Sequence, residues 1–408
     1  MLDVKFIRQN PDKVKEACKK KQVDCDIDRI LELDEKKRKC LKKVETLRSE
    51  QNKLGKEGIK KAQEIKAKIK EIEPELEKIE KEFQDLMLQI PNPPFEDVPV
   101  GKDESGNVIL REVGEKPNFD FKPKDYLEIA EKLDLIDIKR AAKVAGTRFG
   151  YLKKEAALIE LALINLAFDT LVKQGFIPVI PPVMLKPEMA RGMGYLEQTD
   201  EEEAYFLPED NLYLVGTAEQ SVGTMHSDEV FKEKELPKRY VAFSTCFRRE
   251  AGAYGKDTRG ILRVHQFDKI EMFSFLKPED SQKEHQFFLE IEEKLMRALK
   301  IPYRVVQICT GDLGVPAANK YDIEAWMPGQ NQYRETHSTS NCTDFQARRL
   351  NIRYKDKSGK LNFVHTVNGT AFAIPRPLIA IIENYQQKDG SIKVPEVLQK
   401  YLNSKVIK

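Results

Sequence analysis

The 408-residue chain is poor in the features that mark membranes, secretion and metal cages. Its most apolar long segment, residues 156–172, is broken by Glu160 and Asp169, which excludes a membrane span. The first twenty residues, MLDVKFIRQNPDKVKEACKK, lack an apolar signal core, and their acidic residues and absence of serine speak against a transit peptide. Six cysteines (Cys18, Cys25, Cys40, Cys246, Cys309, Cys342) are scattered with no C-x-x-C pair, a pattern of reduced thiols that points to the cytoplasm. Five histidines without H-E-x-x-H or paired spacing exclude a structural zinc site. Net charge is only +2, so no global field selects nucleic acid and any basic surface must be local. Phosphate loops are missing too. No G-x-G-x-x-G follows a strand, and Gly252–Lys256 is a near-miss to a P-loop: two residues stand between its glycines instead of four. Asp257 also occupies the place of the metal-binding hydroxyl. A nucleotide in this chain must therefore be gripped by guanidinium groups.

What is present divides in two. With 40% hydrophobic and 33% charged residues, a chain this long holds two or more domains. Positions 30, 33, 37, 40, 44, 47, 51 and 54 read Ile, Leu, Lys, Cys, Val, Leu, Gln, Leu, stepping by three and four. Ile65, Ile69, Ile72, Leu76, Ile79, Phe83, Leu86 and Ile90 repeat the spacing more cleanly. Both match the a/d seam of a coiled coil. Gly55 and Gly58 between them suit a reversal, and Pro74 predicts a kink in the second helix. The expected element is a helical hairpin arm over about 28–90, its first helix on the order of 40 Å long. Lys36, Lys37, Arg38, Lys39, Lys42 and Lys43 cluster on it, and Lys53, Lys56, Lys60 and Lys61 surround the tip. A solvated coiled-coil face and a phosphate-tracking RNA surface both fit such lysines. Ile90-Pro91-Asn92-Pro93-Pro94 ends the second helix. Residues 1–105, arm plus linker, are thus expected as one domain and 106–408 as another.

Beyond the linker the pattern is mixed. Residues 125–135, 155–174 and 281–299 read as helices. Residues 176–183, 212–215, 240–243, 268–275, 303–308 and 322–326 read as strands in hairpin-like succession. The expected class is α+β, an antiparallel sheet flanked by helices. Arg248, Arg249, Arg259 and Arg263 crowd a segment that reads strand, glycine-rich loop, strand. Arg376 lies in Ile374-Pro375-Arg376-Pro377 ahead of an apolar helix, held near a helix amino terminus where anions are favoured.

Phe247-Arg248-Arg249-Glu250-Ala251-Gly252, Asp257-Thr258-Arg259-Gly260 and residues 265–272 (HQFDKIEM) resemble motif 2 of the class II aminoacyl-tRNA synthetases in its seryl version. Asn368-Gly369-Thr370 through Arg376 and residues 381–386 (IIENYQ) resemble motif 3, and residues 175–182 with the preceding helix resemble the dimer-forming motif 1. Thr217-Ala218-Glu219, Cys309-Thr310-Gly311-Asp312, Tyr333-Arg334-Glu335, Ser340-Asn341 and residues 344–349 (DFQARR) match as well, so the likeness runs over nearly the whole chain. It implies a class II synthetase sheet, an amino-terminal tRNA-binding arm and a homodimer. It also implies an enzyme that activates L-serine with ATP and Mg2+ and loads serine tRNA through its long variable arm, with selenocysteine tRNA open as a second acceptor.

The resemblance assigns roles residue by residue. Arg248 meets the α-phosphate, Glu250 the adenine side, Phe267 stacks on the purine, Arg376 holds the γ-phosphate, and Arg249 joins them in the ATP site. Glu335, Thr336, His337 and Ser338 form the ATP-binding strand segment, and Glu335 and Ser338 hold the metal. Thr217, Ala218, Glu219, Arg248, Glu271, Asn368 and Thr370 form the serine pocket. Lys36, Lys37, Arg38, Lys39, Lys42 and Lys43 are the expected tRNA contacts. These residue types suit the chemistry. Serine's ionised carboxylate is its own nucleophile, so the reaction needs alignment and cations more than a general base. Thr336-His337, Gln220-Ser221, Ala371, Pro375 and Pro377 depart from the family's usual residues. Two other readings share the motifs: a ligase loading an amino acid onto a carrier protein, and an idle RNA-binding paralogue. The arm argues against the first, and the intact Arg248, Glu271, Glu335 and Arg376 against the second.

Overall fold

The computed structural model describes residues 1–54, 58–195, 203–251, 257 and 259–408. The expected reversal at Leu54–Gly58 and the glycine loop at 252–258 therefore lie partly outside the described residues. The chain forms two compact units, Met1–Pro93 and Pro94–Lys408.

In the first unit, α1 (Val4–Gln9) and α2 (Pro11–Lys20) precede two long helices, α3 (Ile27–Lys53) and α4 (Ile59–Gln89). Starts are encoded locally. Asp3 and Asp26 accept backbone N–H bonds at the starts of α1 and α3, and Pro11 opens α2 where its missing N–H costs nothing. Ile7, Val14, Cys18, Ile27, Ile30, Met87 and Ile90 form a small core where α1 and α2 meet the near ends of the long pair. Beyond it the two heptad series pack on each other: Leu33 and Cys40 with Ile79, then Val44 with Ile65 and Ile69. The helix α4 runs unbroken through Pro74. Ile72 and Leu76 keep the seam packed on both sides, offsetting the roughly 3 kcal/mol an internal proline costs.

The second unit is built on an eight-stranded sheet: β1 (Val108–Val113), β2 (Ile177–Val179), β3 (Lys238–Phe247), β4 (Gln266–Leu276), β5 (Tyr303–Gln307), β6 (Asn319–Met327), β7 (Gln332–Thr343) and β8 (His365–Ala373). Their order is β1-β5-β6-β7-β8-β4-β3-β2. Every pairing is antiparallel except the edge pair β2–β3. This is the antiparallel sheet expected from the sequence, with β7 and β8 added in its middle and β1 at one edge, while the expected strand at 212–215 pairs in a separate small sheet.

Alternation along the strands sorts side chains to two faces. On one face, Ile270, Met272, Ile323, Val367 and Ala371 join the main core, covered by α5 (Lys154–Val172), α7 (Ser281–Leu299) and α9 (Pro375–Asn384). On the other, Tyr240, Ala242, Phe273 and Phe275 pack under α6 (Ala218–Thr224) and α8 (Phe345–Leu350). The α6–α8 pair covers only part of that second face. Register shifts at Ile270/Glu271 and Ile323/Glu324 lie beside the part left open and re-aim the side chains there. Among the described residues, no helix is long and apolar enough to cross a membrane.

Candidate active site

A cavity of about 410 Å³ opens on that second face. Its wall includes Thr217, Gln220, Arg248, Glu250, Arg263 and Arg376, contributed by segments more than 150 residues apart in sequence. Four of these six are sequence-predicted site residues; Gln220 and Arg263 complete the wall.

At the nucleotide-like end, Arg248 follows the last residue of β3. Its Nε donates to the Gly216 carbonyl at 3.2 Å, and its guanidinium lies 5.3 Å from the Phe267 ring centre. Glu250 sits at φ +53° and pairs with Arg263 at 2.9 Å. Arg249 is exposed and stacks over Tyr205 at 5.8 Å. Arg376 occupies the first turn of α9, behind Pro375 at the helix start. Its Nη1 donates to the Glu335 backbone carbonyl (2.9 Å) and pairs with the Glu335 carboxylate (3.1 Å). Partial burial works against ionisation of that half-exposed carboxylate, but Arg376 and Lys320 outweigh it and hold it well below the usual range. Ser338 stands opposite Asp322 in the β6–β7 register. Asp322 is buried, its Oδ1 has no hydrogen-bond partner, and burial pushes its carboxyl up to about 7 against the pull of Lys320.

The side chains of the two residues between Glu335 and Ser338 face elsewhere. Glu324 pairs with Glu335 and Ile323 with His337, so Thr336 is the extra residue of the bulge. Its hydroxyl donates to the Ile323 carbonyl, and the His337 ring packs edge-on against Phe372, both in the interior. Only their backbone can reach a ligand. The Ala218 methyl is likewise fully buried in the α6–α8 cluster.

At the other end, alternation puts Phe267, Lys269 and Glu271 on one face of β4. Thr217 caps α6 and accepts a bond from the Glu219 backbone N–H. Lys269 Nζ lies 3.3 Å from the Thr217 hydroxyl and 2.5 Å from the Glu271 carboxylate, with both charged residues buried. Burial pushes the Glu271 carboxyl up to about 7, opposed chiefly by Lys269. Thr370 faces Glu271 across the β4–β8 pair. Glu219 is buried and raised by burial, yet it is held by three neutral donors: Asn368 Nδ2 (3.0 Å), Gln346 Nε2 (3.0 Å) and the Tyr195 hydroxyl (2.9 Å).

The sequence reading therefore missed Lys269, Gln346, Tyr195 and Asp322 as members of this neighbourhood. Lys269 was detectable by period two, since residues 267, 269 and 271 must share a face once the strand is recognised. Gln346 lies in the family-like DFQARR segment and no local signal marks Tyr195, but that both reach Glu219 follows only from the packing of separate elements.

The arm cations fall in two groups. Lys36 pairs with Glu32 (2.6 Å), Lys37 with Glu80 (3.1 Å), Arg38 with Asp34 (3.0 Å) and Lys39 with Glu35 (2.6 Å). Among the described residues Lys42 and Lys43 have no such acidic partner. Residues 40–70, the distal half of the hairpin, hold ten Lys/Arg against four Asp/Glu. Residues 28–39 and 71–85, the basal half, hold seven against eleven.

An antiparallel sheet whose open face gathers arginines from two separate motifs, with buried carboxylates beside them, defines a class II aminoacyl-tRNA synthetase. Residues 205–385 match the model of the tRNA synthetase class II core domain (G, H, P, S and T), and residues 1–94 match the seryl-tRNA synthetase N-terminal domain. The chain is 47% identical to the serine–tRNA ligase of Dictyoglomus thermophilum, covering all of this chain and 99% of that one. It is 48% identical to that of Caldicellulosiruptor saccharolyticus with both chains covered in full. Among solved structures, the seryl-tRNA synthetase of Pyrococcus horikoshii complexed with ATP superposes with a TM-score of 0.93 at 42% identity, covering 100% and 99% of the two chains. The chain belongs to the seryl-tRNA synthetase family.

Proposed function

We propose that this chain activates L-serine with ATP to seryl-adenylate and passes the seryl group to the 3′ end of serine tRNA. The observation that carries the reading is the gathering of Arg248, Arg376 and Thr217 around one cavity, with the buried Lys269–Glu271 pair joined to it through the Thr217 hydroxyl. Serine's carboxylate oxygen attacks the α-phosphorus, the bond to the bridging oxygen breaks, and pyrophosphate leaves. The terminal ribose hydroxyl of the tRNA then attacks the seryl carbonyl and AMP leaves. Arg248 takes the α-phosphate, Phe267 stacks on the purine beside Glu250 and Arg249, and Arg376 takes the γ-phosphate. Glu335 and Arg376 neutralise each other in the free chain, so nucleotide entry exchanges one partner of each rather than uncovering a bare charge.

Glu335 and Ser338 fit a magnesium ion. One is an ionised carboxylate and the other a hydroxyl on the same strand, and magnesium needs few protein oxygens beside water and phosphate. When bound, the ion neutralises charge on the phosphates. On the serine side, Glu271 accepts from the substrate hydroxyl with Thr370 opposite it, while Thr217, Glu219 and Asn368 surround the amino-acid backbone. A pocket built to bond the hydroxyl rejects alanine by leaving Glu271 unpaired. The six free cysteines suit the cytoplasm.

Pyrophosphate–ATP exchange with purified enzyme tests the reading. Serine should support exchange roughly 1,000-fold or more above alanine. Arg376→Ala and Glu335→Gln should each lower kcat by about 100-fold or more, as expected when a group that stabilises developing charge is lost. Exchange equal for both amino acids sinks the serine pocket. Serine transfer to a carrier protein in preference to tRNA replaces the acceptor.

A further inference from the structure

Gln346 is not among the residues lining the cavity, yet its amide makes three hydrogen bonds. It is completely buried on α8. Its Nε2 faces the Glu219 carboxylate at 3.0 Å and the Met193 carbonyl at 3.2 Å. Both are pure acceptors, so the NH2 group must face them, and Oε1 is left to accept from the Thr366 hydroxyl at 2.6 Å. The polarity of the amide is dictated by its surroundings.

Glu219 receives the consequence. A carboxylate offers about two acceptor positions on each oxygen. Gln346 and Asn368 fill both on Oε1, while Tyr195 takes one on Oε2. One acceptor position remains, on Oε2. Asn368 is itself tethered, its backbone carbonyl accepting from the Thr339 hydroxyl and its side-chain NH2 also meeting Cys342 Sγ. All three bonds to Glu219 favour its ionised form, countering the burial that raises it.

We propose that Gln346 is a positioning residue for serine recognition: by saturating Glu219 Oε1 together with Asn368, it leaves Oε2 as the acceptor of the substrate's α-ammonium group. The inference rests on the reading of Glu219 as a serine-pocket residue. Charged or titratable neighbours of Glu219 are Arg248, Lys269, Glu271 and Tyr195, with Cys342 beside Tyr195. None of them donates to Oε1. Gln346→Met removes the donor at nearly constant volume and frees Oε1 to compete for the ammonium group. Gln346→Glu restores a donor only while it is protonated, because an ionised carboxylate would face Glu219 across 3.0 Å.

The test measures KM for serine and for ATP in pyrophosphate exchange from pH 6 to 9, with melting temperatures alongside. Q346M should raise the serine KM about 10- to 100-fold, the range for one bond to a charged group, and leave the ATP KM within about twofold. Q346E should approach wild type near pH 6 and lose serine affinity as pH rises and its added proton leaves. E219Q supplies the control. If E219Q leaves the serine KM unchanged, the pocket reading falls. If E219Q raises it while Q346M does not, the positioning role falls. Serine and ATP KM rising together in Q346M, with a lower melting temperature and no pH dependence in Q346E, would make Gln346 a packing residue and overturn the proposal.

Discussion

At the scale of the residue, the buried ion pair Lys269–Glu271 asks why a serine pocket keeps a lysine. A carboxylate as buried as Glu271 drifts toward its neutral form, and a neutral carboxyl is a poorer acceptor for a hydroxyl. Lys269 lies 2.5 Å away and is the largest influence opposing that drift. With the carboxyl still raised to about 7, its ionised fraction grows as pH rises through neutrality. The sign of the pH effect follows. Serine affinity should improve from pH 6 to 8, and Lys269→Met should move that rise upward by at least about one pH unit, since each unit is worth about 1.4 kcal/mol of lost stabilisation of the charge. Serine titrations across pH, followed by adenylate formation, check this. A Lys269→Met enzyme with the wild-type midpoint would show that Lys269 serves packing alone. Here Arg248, Arg376 and Glu335 were readable because their motifs carry them. The direction of the His337 side chain was not legible, because a one-residue bulge at Thr336 reverses what simple alternation from Glu335 gives.

At the scale of the element, the arm separates what sequence periodicity reveals from what it hides. The heptads predicted both helices and their pairing, since a seam of apolar residues at 3.5-residue spacing has few other solutions. The lysine cluster at 36–43 was equally visible, but its electrostatic meaning depends on partners three and four residues away and on the facing helix. Lys36, Lys37, Arg38 and Lys39 have carboxylates within about 3 Å. Such exposed pairs cost little to break, yet the displaced carboxylates would then face an RNA phosphate. Charge excess collects instead in residues 40–70. The distal half should therefore supply most of the tRNA affinity. Changing Lys42, Lys43, Lys60 and Lys61 to alanine should weaken tRNA binding at least tenfold at fixed salt and lower the salt slope by about three. Lys36 and Lys39 to alanine should change affinity less than threefold. Filter binding over a salt series decides it, and equal losses from the two sets would place the contact at the base as much as the tip. The strands β7 and β8 were harder to read for a related reason. Segments such as QYRETHSTSNCT carry polar residues, Glu335 among them pairing with Arg376 of the cavity wall, so they lack the apolar alternation that marks a half-buried strand.

At the scale of the whole molecule, the sheet ends on one side in a short strand that a soluble monomer would not leave as it is. The edge strand β2 presents Ile177, and Ile180 just beyond it is 82% exposed. On α5, Leu158, Leu161 and Val172 are also exposed, at spacings that line one stripe of the helix facing away from the core residues Ile159, Leu163 and Leu166. An unpaired edge beside an apolar stripe is a surface that invites another chain. These residues belong to the segment that resembles the dimer-forming motif, so we take a second copy of this chain as the partner. The α5 helix also borders the core behind β3 and β4, the strands that carry Arg248, Phe267, Lys269 and Glu271. On this reading, support for the site and the proposed contact draw on the same helix from opposite faces. Leu161→Glu with Ile180→Glu places unpaired carboxylates in that contact without touching the core. Burying such charges costs several kcal/mol each, enough to raise a dimer dissociation constant by about 1,000-fold or more. Sedimentation velocity at micromolar concentration should find the unaltered chain as dimer and the double variant as monomer. Adenylate formation should fall with it, because β2 and α5 lose the partner that braces them against the site. A double variant that remains dimeric would put the interface elsewhere, and one that is monomeric yet fully active would uncouple assembly from the chemistry.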